Sequence, residues 1–531
     1  MTDPIKAIAG RFPLAGRLAV TLRHSGRACA EVVESPWFAS AVLLLVVASE
    51  LVALLSKASR KPFWNDELIA LGVSSLRPFS LLWKALQSGA DSMPPSYYPL
   101  VQLAGTLPGD QQVTLRLPSI LGYILTLLGV YWFARKRLPV SAALTAVVLI
   151  TLTPFREYAF EARSYSLLVG FLAISAVFWQ RIGEKRFMTP LFALFLALAV
   201  SCHHLAVLAI SAFGAAELTW TLLSRRIRWG VWAACLAATC PFLVGLPLLL
   251  SFRAIYAEHY WSRPGWSRVV LTYGPYLGLD SGFHSTLALV SVLFFGILAG
   301  ASLRRVLRRP RQGSPARDFH LPEMVLLGGF LLYPALLVVL AKLSNGGYTP
   351  RYGWPAILGL VLGFVYLYRA AKLSSALLLV ALLAAFTVRN GYDFTMLSKA
   401  GWKLVDERWT GLVELSRGET GIPVVIASPH TYLEAMEYAP PELRDRLVQV
   451  VDPGKAARLF GSNTSEKKNR ILARFLPLRV EDLAPFQAAN NRFILYSGGE
   501  RDWFTQYLAA SGYRMRLLSK AGDFSVFIVD R

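Results

Sequence analysis

Long apolar runs alternate along the chain with short basic clusters. A helix needs about 20 mainly apolar residues to cross a bilayer, and this pattern predicts about eleven such spans. They are expected at 37–55, 114–134, 139–156, 164–181, 188–201, 204–223, 229–251, 285–302, 322–342, 353–368 and 374–390. The fold class that follows is a polytopic α-helical membrane protein.

The basic clusters predict how these spans are oriented. Clusters at 135–137, 181–186, 225–228, 304–317 and 369–372 fall at every second connection, and positive charge favours the cytoplasmic side. Residues 1–36 then form a cytoplasmic basic arm, too long for the charged start of a cleaved signal peptide. The region 37–390 is the transmembrane domain of a bacterial cytoplasmic (inner) membrane protein, and residues 391–531 lie outside.

Two non-spanning regions have patterns of their own. The first outer loop, 56–113, has an amphipathic stretch at 68–86 and a Pro94-Pro95 break before the apolar residues 95–107, which favours helices lying in the interface over a crossing. From about residue 422, β-rich runs at 424–426, 447–451, 493–495 and 526–529 alternate with amphipathic stretches. This alternation predicts a small extracytoplasmic α/β domain.

Charge changes the picture only through its distribution. The formal charge of +22 could suggest nucleic acid, but residues 391–531 hold 19 of the 55 Lys and Arg and 17 of the 33 Asp and Glu. The excess lies in the short clusters between apolar runs, where membrane lipids and topology account for it better than nucleic acid does. Only 17% of residues are charged, against about 25% in soluble domains.

Four polar groups lie at span ends that share one predicted side of the membrane. In Trp64-Asn65-Asp66-Glu67, Asp66 is a candidate general base with Glu67 as its partner or a metal ligand, or else Asn65 or Asp66 only caps a helix. The loop 156–165 brings four charges together, including Glu161 and Arg163 next to Tyr165; the alternative is an ordinary interfacial loop with a tyrosine belt.

The other two groups are Cys202-His203-His204 and Tyr348-Thr349-Pro350-Arg351-Tyr352. Adjacent histidines on a helix point about 100° apart, which suits one metal ion poorly and favours a structural role. Arg351 either snorkels to the interface or presents its guanidinium fork to a phosphate.

The order and spacing of these motifs, with Pro94-Pro95-Ser96-Tyr97-Tyr98 and Arg116-Leu117-Pro118-Ser119, resemble the GT-C superfamily of polyprenyl-phosphate-sugar-dependent glycosyltransferases. Bacterial relatives of protein O-mannosyltransferases, the aminoarabinose lipid A transferase and rhizobial lipopolysaccharide galacturonosyltransferases are similar in pattern over residues 37–390. Met93 stands where relatives often have His, and Ser164 where Pro is common.

The resemblance implies specific roles for these residues. It makes Asp66 the catalytic carboxylate with Glu67 beside it, places Glu161, Arg163, Tyr165 and Tyr352 at the substrate cavity, and gives Arg351 to the donor phosphate. It implies an inverting enzyme that moves a hexose or pentose from a polyprenyl-phosphate donor to a glycan, lipid or protein acceptor in the cell envelope. A divalent metal ion is left open, with Glu67, Glu161, His203 and His204 as candidate ligands.

Two other classes compete with this interpretation. A transporter or flippase of a lipid-linked sugar would also span the membrane many times, but such proteins tend to have internal repeats and ionisable groups at mid-span. A non-catalytic scaffold would have no use for acids and bases converging on one face. Neither the transferred sugar nor the acceptor can be read from the sequence.

Overall fold

The computed structural model describes residues 31–278, 321–371, 373–396, 401–419, 421–498 and 502–531. The predicted span 285–302, the basic cluster at 304–317 and residues 1–30 of the basic arm lie outside these residues. The described part comprises a helical region and, after it, a domain built on one sheet.

The helical region is connected by short loops and 3₁₀ turns. Its helices are α1 (Pro36–Arg60), α2 (Asn65–Ser75), α3 (Phe79–Gln87), α4 (Tyr97–Ala104), α5 (Gln111–Thr114), α6 (Leu117–Arg135), α7 (Val140–Thr151), α8 (Tyr165–Gln180), α9 (Met188–Cys202), α10 (Val207–Ser224), α11 (Trp229–Ala237), α12 (Cys240–Tyr256), α13 (Arg268–Leu271), α14 (Leu321–Leu343), α15 (Ala356–Ala370), α16 (Ser375–Met396) and α17 (Gly401–Ser416).

Within the described ranges, six helices are long and apolar enough to cross a membrane. They are α1, α6, α10, the α11–α12 pair, α14 and α16. Helix α7 and the 3₁₀ turn Pro154–Phe160, which are bent by 68° relative to each other, would add a seventh if they form one span. Helices α8, α9 and α15 are apolar but shorter. Every predicted span that falls on described residues coincides with one of these apolar helices; the total of about eleven stays a prediction.

Local sequence explains where α1 begins and ends. The Ser35 side chain accepts a hydrogen bond from the Phe38 N–H, and Pro36 occupies the first turn, where a missing N–H costs nothing. The helix ends before Lys61-Pro62 because a residue that precedes proline disfavours helical geometry.

Small residues let α6 and α8 pack in close contact. A Cβ on Gly122 would lie 2.3 Å from the backbone nitrogen of Leu167, and one on Gly170 would lie 2.3 Å from the Gly122 carbonyl oxygen. Small residues at such crossings are the usual means by which helices approach closely in a membrane. This contact fixes the loop before α8 against the start of α6, where the Ser119 hydroxyl donates to the Arg163 carbonyl oxygen at 2.7 Å.

Different groups of residues meet at the two ends of the helical region. At one end the predicted basic clusters meet: Lys136 pairs with Glu184, and Arg137 lies 2.9 Å from Glu323. At the other end lie the end of α1, the loop 152–164, the end of α12 and the 3₁₀ turn Pro350–Gly353. The short helices α2 to α5, none of which is among the candidate spans, cover this second end.

The C-terminal domain is an α/β domain, and the six strands found among its described residues have the order β3-β2-β1-β4-β6-β5. Its elements are β1 (Val424–Ile426), α18 (Pro429–Tyr438), α19 (Pro441–Arg444), β2 (Leu447–Val451), α20 (Pro453–Phe460), α21 (Thr464–Leu472), β3 (Val480–Asp482), α22 (Leu483–Ala489), β4 (Arg492–Ser497), α23 (Trp503–Ala510), β5 (Arg514–Ala521) and β6 (Phe524–Asp530). Strands β1 to β4 are parallel neighbours, and β6 pairs antiparallel with β4 and β5.

The strands predicted in this domain are present, and two others were missed. The four apolar runs form β1, β2, β4 and β6, whereas β3 and β5 were not predicted. Strand β3 is short and half-buried. Strand β5 lies at the sheet edge with a largely exposed polar sequence, so it lacks the alternation that marks a buried strand.

The C-terminal domain packs directly on α2. The Phe63 N–H donates to the Tyr438 hydroxyl at 2.6 Å just before α2 begins. Further along α2, a Cβ on Gly72 would lie 2.7 Å from Leu476 Cδ1, so the missing side chain makes room for this leucine. The domain is therefore held over the end of the helical region at which the predicted site residues lie.

Candidate active site between the helical region and the C-terminal domain

A cavity of about 320 Å³ lies between the helical region and the C-terminal domain. The charged and titratable residues of its wall from the helical region are Asp66, Asp91, Arg163, Arg351, Tyr260 and Tyr352, and those from the C-terminal domain are His430, Glu466, Lys468 and Asp502. Four sequence-predicted residues, Asp66, Arg163, Arg351 and Tyr352, are therefore brought together. The residues of the C-terminal domain were not predicted.

The adjacent carboxylates of α2 have different surroundings. Glu67 is fully buried, and its two oxygens each accept a hydrogen bond from the Arg116 guanidinium at 2.8 Å. Glu67 also accepts from the backbone N–H groups of Trp64, at 3.2 Å, and Ala162, at 2.6 Å. It does not line the cavity. The capping role that the sequence suggested for Asn65 or Asp66 thus belongs to Glu67, since it binds the N–H of the residue before the helix.

Asp66 points the other way, toward the cavity. Its Oδ2 lies 2.7 Å from Arg351 Nη1, and both side chains are largely buried, with 14% and 18% of their surfaces exposed. Burial alone would raise the pKa of Asp66, but the positive charges of Arg351, Arg163 and Lys468 outweigh it and place the pKa below its usual value. Asp66 is therefore an anion at neutral pH, able to accept a proton.

Arg351 is held at the cavity wall rather than extended to the membrane surface. It belongs to the 3₁₀ turn Pro350–Gly353, and its guanidinium lies 5.6 Å from the centre of the Trp64 ring. Its buried Nε has no hydrogen-bond partner in the part of the chain that the structure describes. A snorkelling arginine would place this group in water, whereas Arg351 is paired with Asp66 at the cavity wall.

The charges of the loop 156–165 are divided among separate partners. Arg156 lies 2.6 Å from both Glu50 and Asp393, Glu157 lies 3.7 Å from Lys57, Glu161 lies 3.1 Å from Lys61, and Arg163 lies 3.1 Å from Asp91. Only Arg163 of these four loop residues lines the cavity. Glu161 is nearby but is occupied by Lys61; burial raises its pKa, partly offset by that lysine.

Arg163 forms the second cationic part of the wall. Besides bonding to Asp91, its Nη1 donates to the Asp66 carbonyl oxygen at 3.0 Å. Its buried Nε has no hydrogen-bond partner within the described ranges. Asp91 in turn accepts from the Tyr98 hydroxyl at 3.1 Å. Sequence reasoning missed Asp91, although an acidic residue two positions before Met93-Pro94-Pro95 was a signal that could have identified it.

An aromatic layer lies beside the cavity. The His203 ring is 5.0 Å from the Tyr352 ring and 6.1 Å from the Tyr165 ring. Of these three, only Tyr352 lines the cavity. Tyr165, predicted at the substrate cavity, lies behind its wall, with its ring 6.4 Å from that of Tyr352.

The four candidate metal ligands do not converge. Glu67 binds Arg116 and Glu161 binds Lys61, while His203 accepts from the Leu205 N–H and His204 packs against Gly245. In the part of the chain that the structure describes, no group of three or more His, Cys, Asp or Glu side chains is placed to hold a metal ion. These four positions do not fit a common metal site.

Comparison with known proteins places this chain near membrane glycosyltransferases. Residues 92–244 match the family model of dolichyl-phosphate-mannose-protein mannosyltransferases. This match confirms the resemblance to the GT-C superfamily of glycosyltransferases. None of the curated proteins compared with the chain matches it.

Two solved structures are similar in outline. ArnT from Cupriavidus metallidurans bound to undecaprenyl phosphate is 13% identical, with a TM-score of 0.44 over 91% of this chain and 97% of that one. The archaeal oligosaccharyltransferase AglB from Archaeoglobus fulgidus, in complex with an inhibitory peptide and a dolichol-phosphate, is 13% identical, with a TM-score of 0.40 over 86% of this chain and 69% of that one.

Proposed function

Proceeding from the glycosyltransferase family that residues 92–244 match, we propose that this protein is an inverting, polyprenyl-phosphate-dependent glycosyltransferase. It takes a hexose or pentose from the lipid-linked donor and transfers it to a glycan, lipid or protein acceptor. The site faces the outer side of the bacterial cytoplasmic membrane, because the basic clusters at the opposite end of the helices favour the cytoplasm. The two similar structures are of proteins in complex with undecaprenyl phosphate or dolichol-phosphate, and these ligands agree with this donor class.

One observation carries the proposal. Two guanidinium groups, of Arg163 and Arg351, lie in the wall of one cavity at the end of the apolar helices. Each is paired with a carboxylate, but its buried Nε has no hydrogen-bond partner among the described residues. Buried donors are nearly always bonded in proteins, so an anionic ligand is the natural partner. Arginine suits a phosphate because its planar fork binds two oxygens and keeps its charge.

Asp66 supplies the base that the transfer needs. The leaving group in this reaction is a phosphate, which is acidic enough to depart without being protonated. The reaction therefore requires a base for the acceptor hydroxyl and cations for the departing phosphate. When the donor phosphate binds Arg351, it competes with Asp66 for the positive charge of that arginine. The pKa of Asp66 then rises toward the value of an effective base. Asp66 takes the acceptor proton, the acceptor oxygen attacks the anomeric carbon, and the bond to the phosphate oxygen breaks with inversion.

Glu67 has a supporting role in this mechanism. Its ion pair with Arg116 ties α2 to the start of α6, and its bond to the Ala162 N–H ties α2 to the loop that carries Arg163. Asp66 and Arg163 are therefore positioned on one rigid unit. This proposal replaces the role of catalytic partner or metal ligand that the sequence suggested for Glu67.

The carboxylates buried inside the helical region do not call for a transport function. Glu50 is bonded to Arg156, and Glu217 to Arg228. Ionisable side chains inside a membrane are commonly paired with one another, and these two carboxylates are accounted for by their arginines.

The proposal is tested by turnover of the purified protein. Radiolabelled polyprenyl-phosphate sugars, offered one at a time, are followed for release of polyprenyl phosphate, first with water and then with envelope glycolipids as acceptors. The Asp66→Asn variant is the inactive control, and Asp523→Asn, an exposed turn position, controls for the same chemical change elsewhere. Flipping of the labelled donor in vesicles without any release of the sugar would refute the transferase and favour the transporter.

A further inference from the structure

The helix α21 of the C-terminal domain forms the wall of the cavity opposite α2. It is fastened to the end of α12 by three contacts. Lys467 Nζ donates to the Ile255 carbonyl oxygen at 3.0 Å, and the Ser462 and Thr464 hydroxyls donate to the His259 carbonyl oxygen at 3.1 and 3.3 Å. These contacts fix which side chains of α21 face the helical region.

Lys468, the residue after this anchor, lines the cavity. Within the described residues it has no carboxylate within ion-pair distance, unlike Arg163 and Arg351, which Asp91 and Asp66 neutralise. It is half-buried, and its charge contributes to the low pKa of Asp66, which places the two groups across the same space. A half-buried ammonium without a counter-ion favours binding of an anion there.

Three other titratable groups of the C-terminal domain share this wall of the cavity with Lys468. Burial lowers the pKa of His430, although Asp66 opposes the shift, so the imidazole is neutral at pH 7. Burial raises the pKa of Glu466 to about 7, so this carboxyl carries only part of a negative charge. Burial also raises the pKa of Asp502, which caps α23 through the Thr505 N–H.

We propose that Lys468 is a third cation of the donor-phosphate site, supplied by the C-terminal domain, so that docking of this domain on α2 and α12 completes the binding site. The inference rests on the proposed function and adds a residue and a role for the domain to it. The two arginines bind phosphate oxygens through fixed forks, and the lysine adds a flexible point charge from the opposite wall. The ligand class is a phosphate ester with an apolar tail.

Equilibrium binding to the full-length protein in detergent tests this assignment. The probes are farnesyl phosphate, inorganic phosphate and farnesol, which separate the phosphate from the lipid tail. Lys468→Met should weaken farnesyl phosphate binding about tenfold or more, the scale of a lost charge-assisted contact, and leave farnesol binding unchanged. Lys468→Arg should restore most of the affinity. Lys520→Met, an exposed lysine on the edge strand β5, is the matched control and should bind like wild type.

The outcomes distinguish this inference from the function on which it rests. If wild type turns over a polyprenyl-phosphate sugar but Lys468→Met binds farnesyl phosphate as tightly as wild type does, the role of Lys468 is refuted and the transferase stands. Equal losses in Lys468→Met and Lys520→Met would also refute it, since they would reflect net charge alone. Wild type that neither binds farnesyl phosphate nor turns over a donor overturns both. Thermal unfolding of each variant, with Lys468→Gln as a second neutral substitution, identifies any loss that comes from misfolding.

Discussion

The substitution Asp66→Asn separates catalysis from structure at the centre of the site. Asparagine keeps the size of the side chain and can still accept a hydrogen bond from Arg351, but it cannot take a proton from an acceptor hydroxyl. If Asp66 is the base, the transfer rate falls about 10²-fold or more, the usual scale for loss of a general base. The change does not touch the cap of α2, because Glu67 and not Asp66 binds the Trp64 N–H.

Asp66→Asn should destabilise the fold much less than the neighbouring substitution Glu67→Gln. The Asp66–Arg351 pair borders a cavity and keeps some exposure to water, so the cost of losing its charge is reduced by solvent screening. Glu67 and Arg116 are both fully buried, and removing one partner of such a pair costs about 3–5 kcal/mol, because the other charge is left uncompensated. Glu67→Gln should therefore lower the yield of folded protein sharply.

The assay measures both properties on the same preparations. Folded yield is read from size-exclusion chromatography and thermal unfolding, and transfer from release of polyprenyl phosphate by the purified fraction. The expected pattern is a folded, inactive Asp66→Asn and a poorly folded Glu67→Gln. A folded Asp66→Asn with near-normal transfer would remove Asp66 from the mechanism, and a stable, inactive Glu67→Gln would return Glu67 to it.

Three further predictions follow from the site and the topology. Arg351→Ala should lose about ten times more activity than Arg351→Lys in the transfer assay, because lysine restores the charge but not the bidentate fork. Equal activity of both variants and wild type would show that Arg351 does not bind the donor phosphate. Affinity for a polyprenyl-phosphate sugar should fall as pH rises from 6 to 8, because Glu466, with a pKa of about 7, becomes an anion over this range while the donor, a diester, does not titrate. The affinity of Glu466→Gln should not change over the same range. An identical pH dependence of affinity in both proteins would contradict this role of Glu466. Alkaline phosphatase fused at Gly401 should be active, since residues 391–531 are predicted outside, and an inactive fusion there would invert the topology.

Much of the helical region could be predicted because apolar runs and basic clusters report directly on the membrane. The adjacent pair Asp66-Glu67 was also identified, but its division of roles was not. Consecutive residues on a helix point about 100° apart, so the two carboxylates cannot both face the same site. Which of them faced the cavity depended on Arg116, which lies 49 residues further along the chain from Glu67.

The C-terminal half of the cavity gives no comparable signal in the sequence. Lys468 belongs to the run Ser465-Glu466-Lys467-Lys468-Asn469, which has the composition of an ordinary solvated helix surface. The two lysines differ only once the C-terminal domain is docked on the helical region, because Lys467 then donates to the Ile255 carbonyl oxygen and Lys468 lines the cavity. The functional character of such a charge is set by the surface it meets. Because that surface is formed by the ends of α2 and α12, any change that shifts the C-terminal domain on α2, such as a larger residue at Gly72, should disturb the phosphate site without altering a single cavity-lining residue.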